Sequence, residues 1–126
     1  KACADYLAQQ TDAKGRKLEV TLLPIPQEPV CITQEECSEL DLWDGKPTRT
    51  AGERLAASYV NFYIANNSVL VPQFGDPMDK TACEILSAQF PNRTIVPIAA
   101  REILLGGGNI HCITQQIPLG RSSIYA

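Results

Sequence analysis

The chain has 126 residues, of which 44% are hydrophobic and 20% are charged, proportions typical of one small soluble domain. Its net charge of −3 excludes a broadly basic surface for nucleic acid, and no apolar run is long enough to span a bilayer. The five cysteines are odd in number and irregularly spaced, which favours reduced thiols in the cytosol over a disulfide framework or a metal site.

The first half of the chain predicts a helix, a strand and a long loop. Residues 2–10 have apolar side chains at helical spacing, and Gly15 is typical of a left-handed helix stop. Residues 17–26 alternate as a strand does until two prolines end the run. The segment 27–53 is polar and interrupted by proline and glycine, which indicates a long functional or disordered loop. Its tryptophan, Trp43, either covers a pocket or anchors the loop.

A hairpin and a helix are predicted next. Two β-rich runs flank Asn66 and Asn67, and asparagine tolerates the positive φ of a tight hairpin turn. In the helix that follows, Asp76 is placed as the cap and Pro77 as the first residue, and Asp79 is better explained as a helix-start residue than as a catalytic acid. The predicted apolar face of this helix consists of Ala82, Ile85, Leu86 and Phe90.

Two strands are predicted near the end of the chain. Residues 93–99 form a short buried strand, and residues 101–118 contain a glycine loop followed by a last strand. Helices and strands therefore mix along the chain, and the predicted fold class is α/β with mixed strand pairing.

The segment 106–116, GGGNIHCITQQ, holds the strongest chemical candidates. Three glycines allow backbone to approach a ligand and can form a cradle for negative charge, although a flexible turn is an equal alternative. Cys112 is either a small buried hydrophobe or a nucleophile at the mouth of this loop. On a strand, His111 would face away from Cys112 and could not be its base. An active Cys112 then needs a partner from polypeptide outside this sequence.

The residues that lead into Cys112 are candidates to line a site. Gly107 and Gly108 would do so through backbone groups and Asn109 through its amide, with a simple turn residue as the alternative for Asn109.

Other polar residues are weaker candidates. Ser58 and Asn61 lie three apart on a predicted strand, so only one of the two is expected to face a site. Arg101 and Glu102 form either an ion pair or a solvated face.

Residues 52–118 resemble the C-terminal end of agmatine deiminase, a member of the guanidine-modifying (pentein) superfamily. The motifs REILLGGGNIHCITQQ and RLAASYVNF carry the resemblance, and TDAKGRKLEVTLLPIP upstream also fits. The resemblance implies an α/β propeller of ββαβ modules, of which residues 1–126 supply about the last one and a half as a C-terminal portion of one catalytic domain. In this reading 27–53 is a long loop and 54–118 is the last module.

The resemblance also implies a reaction. Cys112 would be the nucleophile that hydrolyses the guanidinium of agmatine to N-carbamoylputrescine and ammonia through an amidino-cysteine intermediate, in polyamine biosynthesis. The carboxylates that grip the cation and the acid–base histidine lie in the family's N-terminal modules, so the N-terminal remainder is an implied partner. We also expect a cytoplasmic homo-oligomer that uses no metal or cofactor and has no nucleic-acid or membrane partner.

Two other functions remain open from the sequence. One is a bacterial-type peptidyl-arginine deiminase, and the other is a non-catalytic structural or binding module in which Cys112 only packs. In either of the deiminase readings, an isolated module would expose strand edges and apolar surface, so we expect this chain by itself to be poorly soluble or to associate.

Overall fold

The computed structural model describes residues 2–118. The helices are α1 (Ala2–Leu7), α2 (Gln34–Glu39), α3 (Met78–Gln89) and α4 (Arg101–Leu105). The strands are β1 (Leu42–Trp43), β2 (Lys46–Pro47), β3 (Tyr63–Ile64), β4 (Ser68–Gln73) and β5 (Thr94–Ala99), and a 3₁₀ turn covers Ile110–Ile113. The mixture of helix and strand confirms the predicted α/β class. Within the described range, no helix combines the length and the apolar character needed to cross a membrane.

A three-stranded sheet, in the order β3-β4-β5, forms the centre of the second half. β3 pairs antiparallel with β4 in the register Tyr63↔Leu70, and β4 pairs parallel with β5 from Ser68↔Thr94 to Gln73↔Ala99. A parallel pair needs a long crossover, which α3 provides. The predicted hairpin, helix and following strand are therefore confirmed, with the mixed pairing that the sequence indicated.

Helix α3 covers one face of this sheet through an apolar cluster. Val69 and Val71 of β4 are fully buried against Leu86 of α3, and the rings of Phe62 and Phe90 meet edge to face with centroids 5.8 Å apart. Ala82 is also fully buried, so two members of the predicted apolar face lie in the core. Burial of each such side chain stabilises the fold by about 1.5–3 kcal/mol. This packing fixes the sheet, which precedes the thiol along the chain.

The segment 27–53, predicted as a long loop, contains α2 and the hairpin of β1 and β2. Thr33 and Glu36 start α2 with a reciprocal capping box, since each side chain accepts the other's backbone N–H at 3.2 and 2.8 Å. Asp44 and Gly45 both have positive φ, as the tight turn of a two-residue hairpin requires. The side chain of Trp43 is 80% exposed and belongs to neither apolar cluster of residues 2–118.

A second apolar cluster joins this segment to the end of the chain. Ile32, Leu55 and Leu104 are buried together, with Leu105 and Phe74 packed against them. Helix α4 thus rests on the segment 27–53, which packs in the core as an ordinary folded element does.

Several predicted elements of the first half differ from the structure. Residues 17–26 form no strand beyond a single bridge between Thr11 and Lys17, because no described strand lies beside them to complete a ladder. The first helix ends at Leu7, and Gly15 instead closes a later turn, where its N–H donates to the Asp12 carbonyl at 2.9 Å.

Differences in the second half are smaller but bear on the site. Asn66 and Asn67 turn the hairpin without positive φ. β5 is partly exposed instead of buried, and the predicted last strand is the 3₁₀ turn Ile110–Ile113, because no strand within residues 2–118 pairs with this segment. The alternation that separated His111 from Cys112 therefore does not apply.

Candidate functional site

The glycine loop ends helix α4. The N–H groups of Gly106 and Gly107 donate to the carbonyls of Ile103 and Leu104 at 3.2 and 2.9 Å, and Gly107 has a φ of +94°. This is the left-handed helix stop for which glycine is preferred. Because both N–H groups are taken by the helix, the predicted cradle of successive glycine donors is not formed here.

The thiol of Cys112 folds back over Gly108. A Cβ placed on Gly108 would lie 2.8 Å from the Cys112 Cβ, closer than real Cβ atoms approach, and 3.2 Å from its Sγ, which is a tight contact. The Cys112 N–H donates to the Asn109 carbonyl at 2.9 Å, which closes the turn. Gly108 is therefore required for space, because only a residue without a side chain lets the sulfur occupy this position.

Asn61 joins the site from a distant part of the chain. Its Oδ1 accepts the His111 backbone N–H at 2.8 Å, and its Nδ2 donates to the Cys112 Sγ at 3.2 Å. A backbone N–H can only donate, so the carboxamide atom that faces it must be the oxygen, and the nitrogen must face the sulfur. One side chain thus holds both the turn and the thiol.

These contacts favour the thiolate form of Cys112. The residue is exposed, and the hydrogen bond from the Asn61 side chain, followed by a backbone hydrogen bond from Asn109, lowers the pKa of its thiol against a smaller opposing effect of burial. Hydrogen bonds to a charged form stabilise that form. A larger share of Cys112 is therefore ionised near neutral pH than of an ordinary cysteine, and the thiolate is the nucleophilic species.

Asn109 is the N-cap of the 3₁₀ turn. It is fully buried, and its Oδ1 accepts the Ile110 N–H at 2.8 Å, while its Nδ2 is buried without a hydrogen-bond partner in the described part of the chain. The alternative of a turn residue is thus confirmed for Asn109. Its role in binding substrate, like those of Gly107 and Gly108, stays a prediction.

His111 lies beside the thiol without bonding to it. Both residues are exposed on the same turn, and no hydrogen bond between their side chains occurs among residues 2–118. His111 lines a shallow depression together with Ser58, Val60 and Asn61. The prediction that Ser58 and Asn61 point to opposite sides was wrong, because the chain turns at residues 59–60 and the Asn61 N–H donates to the Ser58 carbonyl.

The turn before Asn61 is anchored in the core. Tyr59 is fully buried, its hydroxyl donates to Asp79 Oδ1 at 2.6 Å, and its ring lies 5.1 Å from that of Phe74. Asp79 also accepts the backbone N–H groups of Phe74 and Gly75. Asp79 and Asp76 are thereby confirmed as residues of the helix start, and Asp76 accepts the Met78 N–H at 2.8 Å. The predicted boundary is one residue off, since α3 begins at Met78 and its N-cap is Pro77, not Asp76.

Two arginines fix α4 on the segment 27–53. Arg101 donates to both carboxylate oxygens of Glu36 at 2.6 and 2.9 Å and to the Cys31 carbonyl, and Arg49 donates to the Leu105 carbonyl at 2.9 Å. The predicted partner of Arg101, Glu102, is exposed and not bonded to it. Glu36 and Arg101 lie 65 positions apart, and the sequence gives no signal of this pair.

No metal centre is formed by the described residues. Within residues 2–118, no group of three or more histidine, cysteine or acidic side chains is arranged to hold an ion.

The sequence of this chain matches one class of protein, the deiminases. The sequence model of the Porphyromonas-type peptidyl-arginine deiminase matches residues 1–118. The chain belongs to this family.

Individual relatives in this class are named agmatine deiminases. A Latilactobacillus sakei protein provisionally named agmatine deiminase is 59% identical over 117 residues, which are 93% of this chain and 32% of that protein. The solved agmatine deiminase of Enterococcus faecalis is 43% identical with a TM-score of 0.84, over 92% of this chain and 31% of that one.

A further solved structure is the Campylobacter jejuni agmatine deiminase in a Cys-to-Ser variant with substrate bound. It is 28% identical, with a TM-score of 0.55, over 75% of this chain and 23% of that one. The resemblance drawn from the motifs is confirmed by these relatives, and the chain spans about a third of the length of the agmatine deiminases from L. sakei and E. faecalis.

Proposed function

We propose that this chain is the thiol-bearing, C-terminal portion of an agmatine deiminase. The observation that carries the proposal is the exposed Cys112 sulfur, held by the Asn61 amide in a family of guanidinium-hydrolysing enzymes. The names of the relatives support agmatine as the substrate. The Cys-to-Ser variant solved with substrate bound supports a cysteine that acts in turnover in that relative.

The proposed reaction begins with the Cys112 thiolate. The thiolate adds to the guanidinium carbon, the carbon–nitrogen bond breaks, and ammonia leaves after a general acid protonates it, so that an amidino-cysteine remains. Water then adds to this carbon with loss of a proton to the same group acting as base. The carbon–sulfur bond breaks, N-carbamoylputrescine is released, and the thiolate is restored.

Several parts of this reaction must come from elsewhere. The guanidinium carbon is a poor electrophile, and paired carboxylates would have to hold the planar cation with that carbon directed at the sulfur. Asp76 and Asp79 are engaged by backbone N–H groups at the helix start, so neither is free for this task. We therefore propose that an N-terminal remainder supplies the carboxylates and the acid–base histidine.

The wider setting follows from the same proposal. The module of β3, β4, α3 and β5 would be the last of a pentein propeller, and 27–53 would connect it to the module before. A cytoplasmic homo-oligomer that serves polyamine biosynthesis is proposed with it, without metal or cofactor.

The exposure of Cys112 argues against the alternative of a non-catalytic module in which this cysteine only packs. The competing substrate, a peptidyl-arginine, is kept as an outcome of the experiment, because the matching family carries that name.

The experiment compares wild type with Cys112→Ser in the protein that carries this chain. Ammonia release is followed with agmatine and with an arginine-containing peptide as alternative substrates. We expect turnover of agmatine by wild type, little or none of the peptide, and loss of turnover by at least about a thousandfold in the variant. Retained turnover by Cys112→Ser would eliminate the covalent mechanism, and a preference for the peptide would replace the proposed substrate.

A further inference from the structure

We infer that Asn61 is a positioning residue for the thiol, whose carboxamide holds the 3₁₀ turn with one atom and orients the Cys112 sulfur with the other. This inference rests on the proposed role of Cys112 as nucleophile. It concerns a residue 51 positions away from the cysteine along the chain.

The first argument is the geometry of the carboxamide. Its two contacts, 2.8 Å from Oδ1 to the His111 nitrogen and 3.2 Å from Nδ2 to the Cys112 Sγ, have opposite hydrogen-bonding polarity. A side-chain amide offers an acceptor and a donor side by side at this spacing, whereas an ionised carboxylate offers two acceptors. The requirement therefore concerns a pair of atoms, and not merely a polar residue.

The second argument is that Asn61 itself is held on both sides. Its backbone N–H donates to the Ser58 carbonyl at 3.2 Å, and its own carbonyl accepts the His111 N–H at 3.4 Å, beside the shorter bond to Oδ1. Tyr59, two residues earlier, is buried and bonded to Asp79 at the start of α3. The amide thus projects from a fixed turn. The position of the sulfur is therefore fixed relative to the core of the module.

The third argument is what a replacement would do. Aspartate is isosteric and keeps the acceptor for His111, but it brings an oxygen and a negative charge to the sulfur in place of the donor. A nearby like charge and the loss of a hydrogen bond both disfavour the thiolate. Alanine removes both contacts but introduces no charge. The two variants therefore separate the role towards the turn from the role towards the thiol.

The test measures alkylation of Cys112 by iodoacetamide as a function of pH, read by peptide mass spectrometry in the protein that carries this chain. We expect Asn61→Asp to move the pH midpoint upward by about one unit or more, which is a roughly tenfold loss of rate below the midpoint. Asn61→Ala should move it upward by less. The matched control is Asn92→Asp, the same substitution at an exposed position of the turn before β5.

The order of the two variants decides the outcome. If Asn61 served only the turn, Asn61→Asp would behave as wild type and Asn61→Ala would be the more affected variant. An unchanged midpoint in a folded Asn61→Asp protein, with folding checked by circular dichroism, would overturn the inference. If Asn61→Asp does not fold, the midpoint of Asn61→Ala decides, since an unchanged value there would overturn it equally.

Failure of the inference is distinguishable from failure of the proposed function. If wild-type Cys112 alkylates no faster than the half-buried Cys83, and Cys112→Ser still turns over substrate, the proposed role of Cys112 as nucleophile is excluded. If Cys112 is reactive but its alkylation does not depend on residue 61, only the positioning role of Asn61 is excluded.

Discussion

Gly108 and Cys112 lie so close that no side chain fits between them, since a Cβ on the glycine would stand 2.8 Å from the Cβ of the cysteine. We predict that Gly108→Ala displaces the thiol, at a cost of about 1–3 kcal/mol in stability and at least tenfold in Cys112 alkylation rate. Unfolding by urea and iodoacetamide labelling measure the two effects.

Gly106→Ala is the matched control for this prediction. Its added Cβ would meet only the Ile103 carbonyl at 3.4 Å, an ordinary contact, and Gly106 has helical φ. Alkylation of Cys112 should stay within about twofold of wild type. Equal behaviour of the two alanine variants would show that the close approach of Gly108 is unimportant.

The pH dependence of labelling should distinguish the cysteines. The hydrogen bond from Asn61 lowers the pKa of the Cys112 thiol, whereas burial raises that of Cys83. A group with a lowered pKa is ionised from a lower pH upward, so near neutral pH Cys112 should carry the larger thiolate fraction and alkylate faster. Peptide-resolved mass spectrometry between pH 6 and 9 checks this, and faster labelling of Cys83 would contradict it.

Tyr59 should contribute to stability through one hydroxyl. Tyr59→Phe removes the 2.6 Å hydrogen bond to the Asp79 carboxylate, and bonds to charged groups contribute about 1.5–3 kcal/mol. We expect the free energy of unfolding to fall by about this amount in urea titrations. Tyr63→Phe, at a half-buried tyrosine of β3, is the control and should change it by less than about 0.5 kcal/mol.

Acid should weaken the attachment of α4 to α2. The Arg101 guanidinium holds the pKa of the Glu36 carboxyl below its usual value. The pair therefore stabilises the fold fully above the ordinary glutamate pKa of about 4.3 and loses its contribution as the pH falls through the lower folded value. In Glu36→Gln, the urea midpoint should decline less between about pH 5 and pH 3 than in wild type.

The control for this experiment is Glu84→Gln. Glu84 and Lys80 form a 3.7 Å pair on the exposed face of α3, and such pairs contribute little. This variant should follow the wild-type pH profile, and an equally flattened profile would indicate a general charge effect.

The local elements of the second half could be predicted because their causes are local. Alternating β-rich runs and the apolar spacing of α3 are readable along the sequence, and the structure has the hairpin, the helix and the parallel strand. The last strand was predicted wrongly because alternation over a few residues does not specify a pairing partner. The same reason explains the missing strand at 17–26.

Two features of the segment 27–53 carried readable signals that its proline content obscured. Thr33 and Glu36 have the spacing of a capping box, and Asp44-Gly45 is a strong hairpin turn signal. The bond from Asn61 to Cys112 had no such signal, because nothing in a single sequence specifies which distant amide a folded chain brings to a sulfur. The motif identified the cysteine, and only the fold identified its neighbour.

The bridge made by Asn61 has a consequence for what a short synthetic peptide can reproduce. A peptide of residues 101–118 would contain the three glycines, the histidine and the cysteine, yet not the amide that meets the sulfur. Its thiol should titrate as that of free cysteine does, near 8.5. Chemical reactivity here would then be a property of tertiary structure that the most recognisable part of the sequence does not contain.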